Sequence, residues 1–154
     1  DAELAYQEAR THAVLAGYPG RAAFWTYRLA DVAHRRGELD EAERRYRAGI
    51  DGLEQVQSPH APRARAMLAL LVAERGRTDE SRALLEAIAL LADGEEDDRI
   101  ILAVARSGVA RWSGHPMPDA AFDELGVQRA ALHRPLYFVT RALYERAPGA
   151  VGGQ

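Results

Sequence analysis

Residues 34–50 read HRRGELDEAERRYRAGI, and a weaker copy, AERGRTDESRALLEAIA, occupies residues 73–89. In each, a Gly follows one amphipathic stretch and a short acidic turn comes next. A small residue four before a larger one then opens the following helix: Ala42 before Tyr46, and Ser81 before Leu85. Gly37, Gly76 and Gly114 are 39 and 38 residues apart. A fixed period of about 20 to 50 residues marks a chain built of stacked units, because each unit buries its apolar face only against its neighbours. A binding scaffold is therefore expected rather than an enzyme.

Working outward from that stretch, apolar and Ala positions recur at three and four residues and no segment alternates with period two, so the expected fold is all-α. The first helix spans about Ala2 to Ala16 and stops at Gly17, with Pro19 and Gly20 in the turn. The second runs from about Arg21 to Arg36, and Gly37 is placed to take the left-handed conformation that ends it. The third runs from Leu39 or Asp40 to about Val56, with Asp40, Glu41 and Glu43 at the positive end of its dipole. Ser58, Pro59 and Pro62 break it. A fourth spans about Pro62 to Arg75, and a fifth about Asp79 to Ala92, with Thr78 as its expected N-cap.

The acidic run Glu95, Glu96, Asp97 and Asp98 precedes a sixth helix ending near Trp112. It is read as a dipole-matched helix start, since the Gly spacing of a calcium loop is lacking. Pro118 opens a seventh helix to about His133, and Pro135 a short eighth to about Ala147. The expected organisation is one helical-repeat domain over 1–147: a partial repeat at 1–17, repeats at about 21–56, 60–92 and 96–133, and a terminal helix at 135–147. The Gly-rich residues 148–154 are expected to be a flexible tail.

Composition bounds the function. The 154 residues are 47% hydrophobic and 28% charged with a net charge of -3, which suits a single domain with a real core. All 20 basic residues are Arg, and Lys and Asn are absent, a bias of GC-rich coding before it is a functional signal. The absence of Cys removes disulfides, thiolate metal sites and a Cys nucleophile, and points to the cytoplasm. No apolar run approaches the roughly 20 residues that span a bilayer, and no membrane partner is expected. Residues 1–10, DAELAYQEAR, do not read as a signal peptide.

These residues resemble the tetratricopeptide repeat (TPR) family, whose helix-turn-helix unit carries a large residue and Leu on its first helix and a small-to-aromatic pair on its second. The matching positions are Leu29 and Ala30, then Gly37, Leu39, Ala42, Tyr46, Gly49 and Ile50. The second copy offers Leu68, Ala69, Val72, Gly76, Ser81, Leu85 and Ile88, and a degenerate third offers Ala110, Gly114 and Ala120 or Ala121. Ala42 and Gly49 are expected to be small because paired helices cross closely there, and Tyr46 to fill the space between adjacent repeats. Ala2, Tyr6 and Ala9 reproduce the Ala42, Tyr46, Gly49 spacing, so the first helix looks like the second half of a repeat in a longer array. The resemblance implies an α-solenoid, a right-handed superhelix of antiparallel helix pairs with about eight helices. A plain antiparallel bundle is the alternative architecture.

The repeats exceed the family's usual length of about 34 residues. Together with LGVQRAAL at 125–132, they are similar to the C-terminal repeat regions of actinobacterial antibiotic-regulatory activators and signal-transducing ATPases. In that context the region is a sensing or regulatory arm, and its partner is a protein, a peptide or another domain of the same polypeptide. The resemblance places the concave lining on the first helix of each pair: Phe24, Tyr27, Asp31, His34 and Arg35, followed by Arg63, Ala66, Leu70, Ala73 and Glu74. The candidate partner-binding residues are Phe24, Tyr27, Asp31, His34, Arg35, Arg63, Leu70 and Glu74. Replacing Tyr27 and Arg35 by Ala is expected to abolish binding with little loss of stability. Chaperone-tail-binding members use Lys and Asn where this chain has Tyr27, Asp31, Ala66 and Leu70, so that carboxylate clamp is absent. Trp25 and Trp112 are expected to pack.

Other classes carry weaker signals. His12, His34, His60, His115 and His133 lack the i, i+4 pairing of a zinc helix, and no phosphate loop or nucleophile elbow is present. No catalytic residue, metal or cofactor is expected, although an enzymatic or small-molecule-binding helical domain is the alternative of another class. Arg21, Arg28, Arg35, Arg36, Arg44, Arg45 and Arg47 are offset by neighbouring acids, so direct nucleic-acid binding is not expected. A stand-alone adaptor, or a homodimer formed through an uncovered end of the array, is the remaining alternative.

Overall fold

Left-handed corners divide the chain. In the computed structural model, which describes residues 1–88 and 96–114, Gly37 has φ +80° and Gly76 φ +85°. At the first, Gly37 N–H donates to His34 O at 3.0 Å and Glu38 N–H to Ala33 O at 3.0 Å. At the second, Gly76 N–H donates to Ala73 O at 3.0 Å and Arg77 N–H to Val72 O at 2.9 Å. This pair of bonds is the Schellman motif, which satisfies carbonyls that a helix end leaves open. The same pattern closes two further helices, at Gly17 and at Gln57. Gln57 is the one non-Gly residue with positive φ, +52°, among the described residues.

Between these corners lie α1 (Ala2–Leu15), α2 (Pro19–Arg35), α3 (Leu39–Gln55), α4 (His60–Glu74), α5 (Thr78–Ala87) and α6 (Glu96–Trp112). The described residues are helical with no strand. Two expected details differ. Helix α4 starts at His60 rather than Pro62, because Ser58 Oγ accepts the His60 N–H at 3.2 Å and turns the chain before the proline. Thr78 is the first helical residue of α5 rather than its cap, and its carbonyl accepts the Ser81 hydroxyl at 2.7 Å. The acidic run falls at the start of α6, with Glu96, Asp97 and Asp98 in its first turn. The expected seventh and eighth helices, the last turn expected of the fifth and the tail lie outside the described residues.

The chain forms two compact units, Asp1–Leu68 and Ala69–Gln154, with the division inside α4. In the first, α2 packs on both α1 and α3. The crossing with α3 is close: a Cβ on Gly49 would lie 3.0 Å from the Tyr27 backbone N, and one on Gly52 2.6 Å from the Ala23 Cβ. Of the eight positions that carried the repeat pattern in this copy, Leu29, Ala30, Ala42, Tyr46, Gly49 and Ile50 are buried, Leu39 is half-buried and Gly37 is exposed at the corner. Tyr46 lies against α2, its ring centroid 6.3 Å from Tyr27 and 5.9 Å from His34. In the second unit Ala69, Ala73 and Val109 form a core cluster with Leu84, Leu85 and Trp112 against it, so Trp112 packs as expected. Ser81, the counterpart of Ala42, is fully buried there.

Candidate functional site

Helix α2 presents Tyr27, Asp31 and His34 at i, i+4 and i+7, one face of a helix. The structure brings these three together but does not leave them on an open surface: their exposures are 3%, 2% and 0%. The physical reason is mutual satisfaction of polar groups. The Tyr46 hydroxyl of α3 donates to Asp31 Oδ1 at 2.7 Å, and Arg28 Nη1 donates to Asp31 Oδ2 at 2.9 Å. His34 Nδ1 lies 3.3 Å from the same hydroxyl, a contact completed when Nδ1 carries the proton. Arg28 also spreads its guanidinium over the Tyr6 and Tyr27 rings, at 5.9 and 5.7 Å from their centroids.

Charge states follow from burial. Removal from water raises the Asp31 pKa above the ordinary carboxylate value, although Arg28 and the Tyr46 hydroxyl act in the opposite direction. Burial and the neighbouring Asp31 raise both Tyr27 and Tyr46, which therefore stay neutral hydroxyls. For Arg28, burial opposes the charge, but Asp31, Tyr27 and Tyr6 outweigh it and hold its pKa above the usual value. Such a satisfied cluster specifies how α2 and α3 pair. The expectation that Tyr27 can be removed at little cost is overturned by its burial. Tyr27→Ala should cost about 3–5 kcal/mol, as for other large buried aromatic side chains.

The remaining sequence-derived candidates divide by burial. Arg35 is exposed, Phe24 and Arg63 are half-buried, and Glu74 is half-buried at the end of α4. Leu70 is fully buried; a Cβ added to Gly108 of α6 would run into its side chain.

A second feature of the first unit is a cleft of about 530 Å³ at the start of α2, lined by Gly20, Arg21, Phe24, Trp25, Ser58 and His60. The Phe24 ring meets Trp25 edge-on at 5.0 Å and the tilted His60 ring at 4.7 Å. Trp25 packs on Tyr6 of α1, centroids 5.2 Å apart, and also lines the cleft. Arg21, Ser58 and His60 were not singled out as binding residues in the sequence. Arg21, Phe24 and Trp25 do share one end of a helix, but only the corner at Gln57 brings Ser58 and His60 to them.

Outside these features, carboxylate–guanidinium pairs lie on the helix surface. Glu41 accepts from Arg45 Nε at 2.6 Å and from Arg44 Nε at 2.9 Å, and Arg47 pairs with Glu43 at 2.9 Å. Glu3 of α1 pairs with Arg36, the residue just after α2. No helix among the described residues is long and apolar enough to cross a membrane. No protein-family model, curated protein or solved structure matches the chain.

Proposed function

We propose that residues 1–147 form a TPR-like α-solenoid of about eight helices that acts as a non-catalytic scaffold. Its partner is a protein or peptide, or another domain of the same polypeptide, within a cytoplasmic bacterial transcriptional regulator. The observation that carries this is the recurrence of one corner: Gly37 with buried Ala42, then Gly76 with buried Ser81, each closed by the same pair of backbone bonds. A unit that repeats its corner and its small contact residue is built for stacking. Stacked helix pairs present an extended surface, which is how such arrays bind.

Of the residues on the expected lining, Arg35 is the exposed cation, and a fork-shaped guanidinium suits a carboxylate or phosphate on a partner. The test is to pan a random peptide library on the chain and titrate the enriched peptides calorimetrically against wild type and Arg35→Ala. Saturable binding weakened by Arg35→Ala is expected. Failure to enrich any sequence overturns the scaffold reading, as does partner-free turnover in a hydrolase panel that is lost on replacing one His.

Self-association is a second reading, favoured by the apolar surface of α1, where Val14 and Leu15 are 62% and 80% exposed. Sedimentation at several concentrations distinguishes a homodimer from a monomer.

A further inference from the structure

The cleft at the start of α2 has a lining with a chemical preference. We propose that it binds a small aromatic carboxylate, with the ligand ring against Phe24 and Trp25 and the carboxylate held at Arg21. No Asp or Glu is among the six lining residues, while Arg21 and His60 both are. The Arg21 guanidinium rests over the Tyr18 ring, 5.1 Å from its centroid, and pairs with no carboxylate among the described residues. A flat cation held this way is pre-positioned to fork onto a carboxylate.

The backbone adds donors at the same place. Tyr18 precedes α2 without a side-chain cap, and Pro19 has no N–H. The first backbone bond into α2 is Ala22 N–H to Tyr18 O at 3.0 Å, so the Gly20 and Arg21 N–H groups have no acceptor among the described residues. Both residues line the cleft. Volume favours a small molecule over an extended peptide: about 530 Å³ lies within the range of small-ligand sites. The cleft shares Phe24 with the expected partner-binding lining, and the scaffold reading is distinguished by its macromolecular partner and its test at Arg35.

The test is a titration of ¹⁵N-labelled chain followed through the Gly20 amide and the Trp25 indole N–H, with phenylacetate as the probe. The comparison probes are 2-phenylethanol, which lacks the charge, acetate, which lacks the ring, and acetyl-Gly-Gly-Phe, which carries both at a peptide end. Saturable shifts at Gly20 and Trp25 are expected with phenylacetate, and about tenfold weaker binding of 2-phenylethanol and of acetate. Arg21→Gln should weaken phenylacetate by about tenfold, and Arg35→Gln should leave it unchanged. Equal binding of 2-phenylethanol, no effect of Arg21→Gln, shifts confined to other residues, or no saturation each overturns the proposal. Tighter binding of the tripeptide than of phenylacetate also overturns it and returns the cleft to a peptide partner.

Discussion

Substituting Gly52 by Ala tests the α2–α3 crossing on which the first unit depends. The added Cβ would lie 2.6 Å from the Ala23 Cβ, whereas carbon atoms in good contact sit about 3.5–4.0 Å apart. Neither atom has a rotamer through which to yield, since both are fixed to a helix backbone. The two helices must therefore separate by about 1 Å at this point. On an open helix the same substitution would stabilise by about 0.8–1.0 kcal/mol. Overpacking a well-filled contact costs about 1–3 kcal/mol, and a clash that moves backbones belongs in the upper half of that range. The net expectation is a loss of about 1–2 kcal/mol, a fall in Tm of several degrees. Urea unfolding followed by circular dichroism gives the total, and hydrogen exchange at α2 and α3 amides localises it. Ala23→Gly frees the space, so the double substitution should recover about 1 kcal/mol or more relative to the sum of the singles. A stabilised Gly52→Ala chain, or a cycle with no coupling to Ala23, would refute the close crossing.

Further expectations concern the buried cluster and the corner after α3. Tyr46→Phe removes the hydroxyl that donates to Asp31 and should destabilise by about 1.5–3 kcal/mol in urea titration, the range for a bond to a charged group. Because the folded Asp31 pKa is raised, the native state binds its proton more tightly than the unfolded chain does. The Asp31 contribution is then fully present below the unfolded carboxylate value and falls as pH rises through the raised folded value. Asp31→Asn should abolish that fall, and urea stabilities measured from about pH 4 to about pH 7 that stay parallel in the two chains would contradict it. Gln57→Gly should stabilise by about 1 kcal/mol, read as a higher Tm, because a non-Gly residue in the left-handed region costs about 1–2 kcal/mol.

The helices and their corners were legible in the sequence because Gly and small residues have few other reasons to recur at fixed spacing. Gly37, Gly76, Ala42 and Gly49 each mark a backbone demand, and backbone demands are local. The polar residues of α2 were not legible in the same way. Asp31 and His34 read as solvent-facing because neither can be buried alone, and their partners Arg28 and Tyr46 make burial affordable only once α2 and α3 pair. Tyr46 stood out in the sequence as a space-filling ring, while its hydroxyl, bonded to a residue 15 positions earlier, gave no signal.

The Gln57 corner shows most directly why the period was visible and the cleft was not. The left-handed corners that end α1 to α4 fall at Gly17, Gly37, Gln57 and Gly76, spaced by 20, 20 and 19 residues. Each of α1 to α4 is thus stopped at half the repeat period, and three of these four stops carry a Gly that the sequence displays. At the fourth, Gln57 takes φ +52° where the other three have Gly, and the sequence marks the break only through Ser58, Pro59 and Pro62 after it. Its conformation is held by neighbours, through Gln57 N–H to Glu54 O at 3.0 Å and Ser58 N–H to Leu53 O at 2.9 Å, with Leu53 fully buried beneath. That same corner delivers Ser58 and His60 to the Phe24 and Trp25 rings, so the wall of the cleft depends on a turn that no Gly announces. A scaffold announced by its glycines can therefore carry a binding feature at the one of these four corners where glycine is missing. Gln57→Gly should keep that wall intact, because it relaxes the corner without moving it.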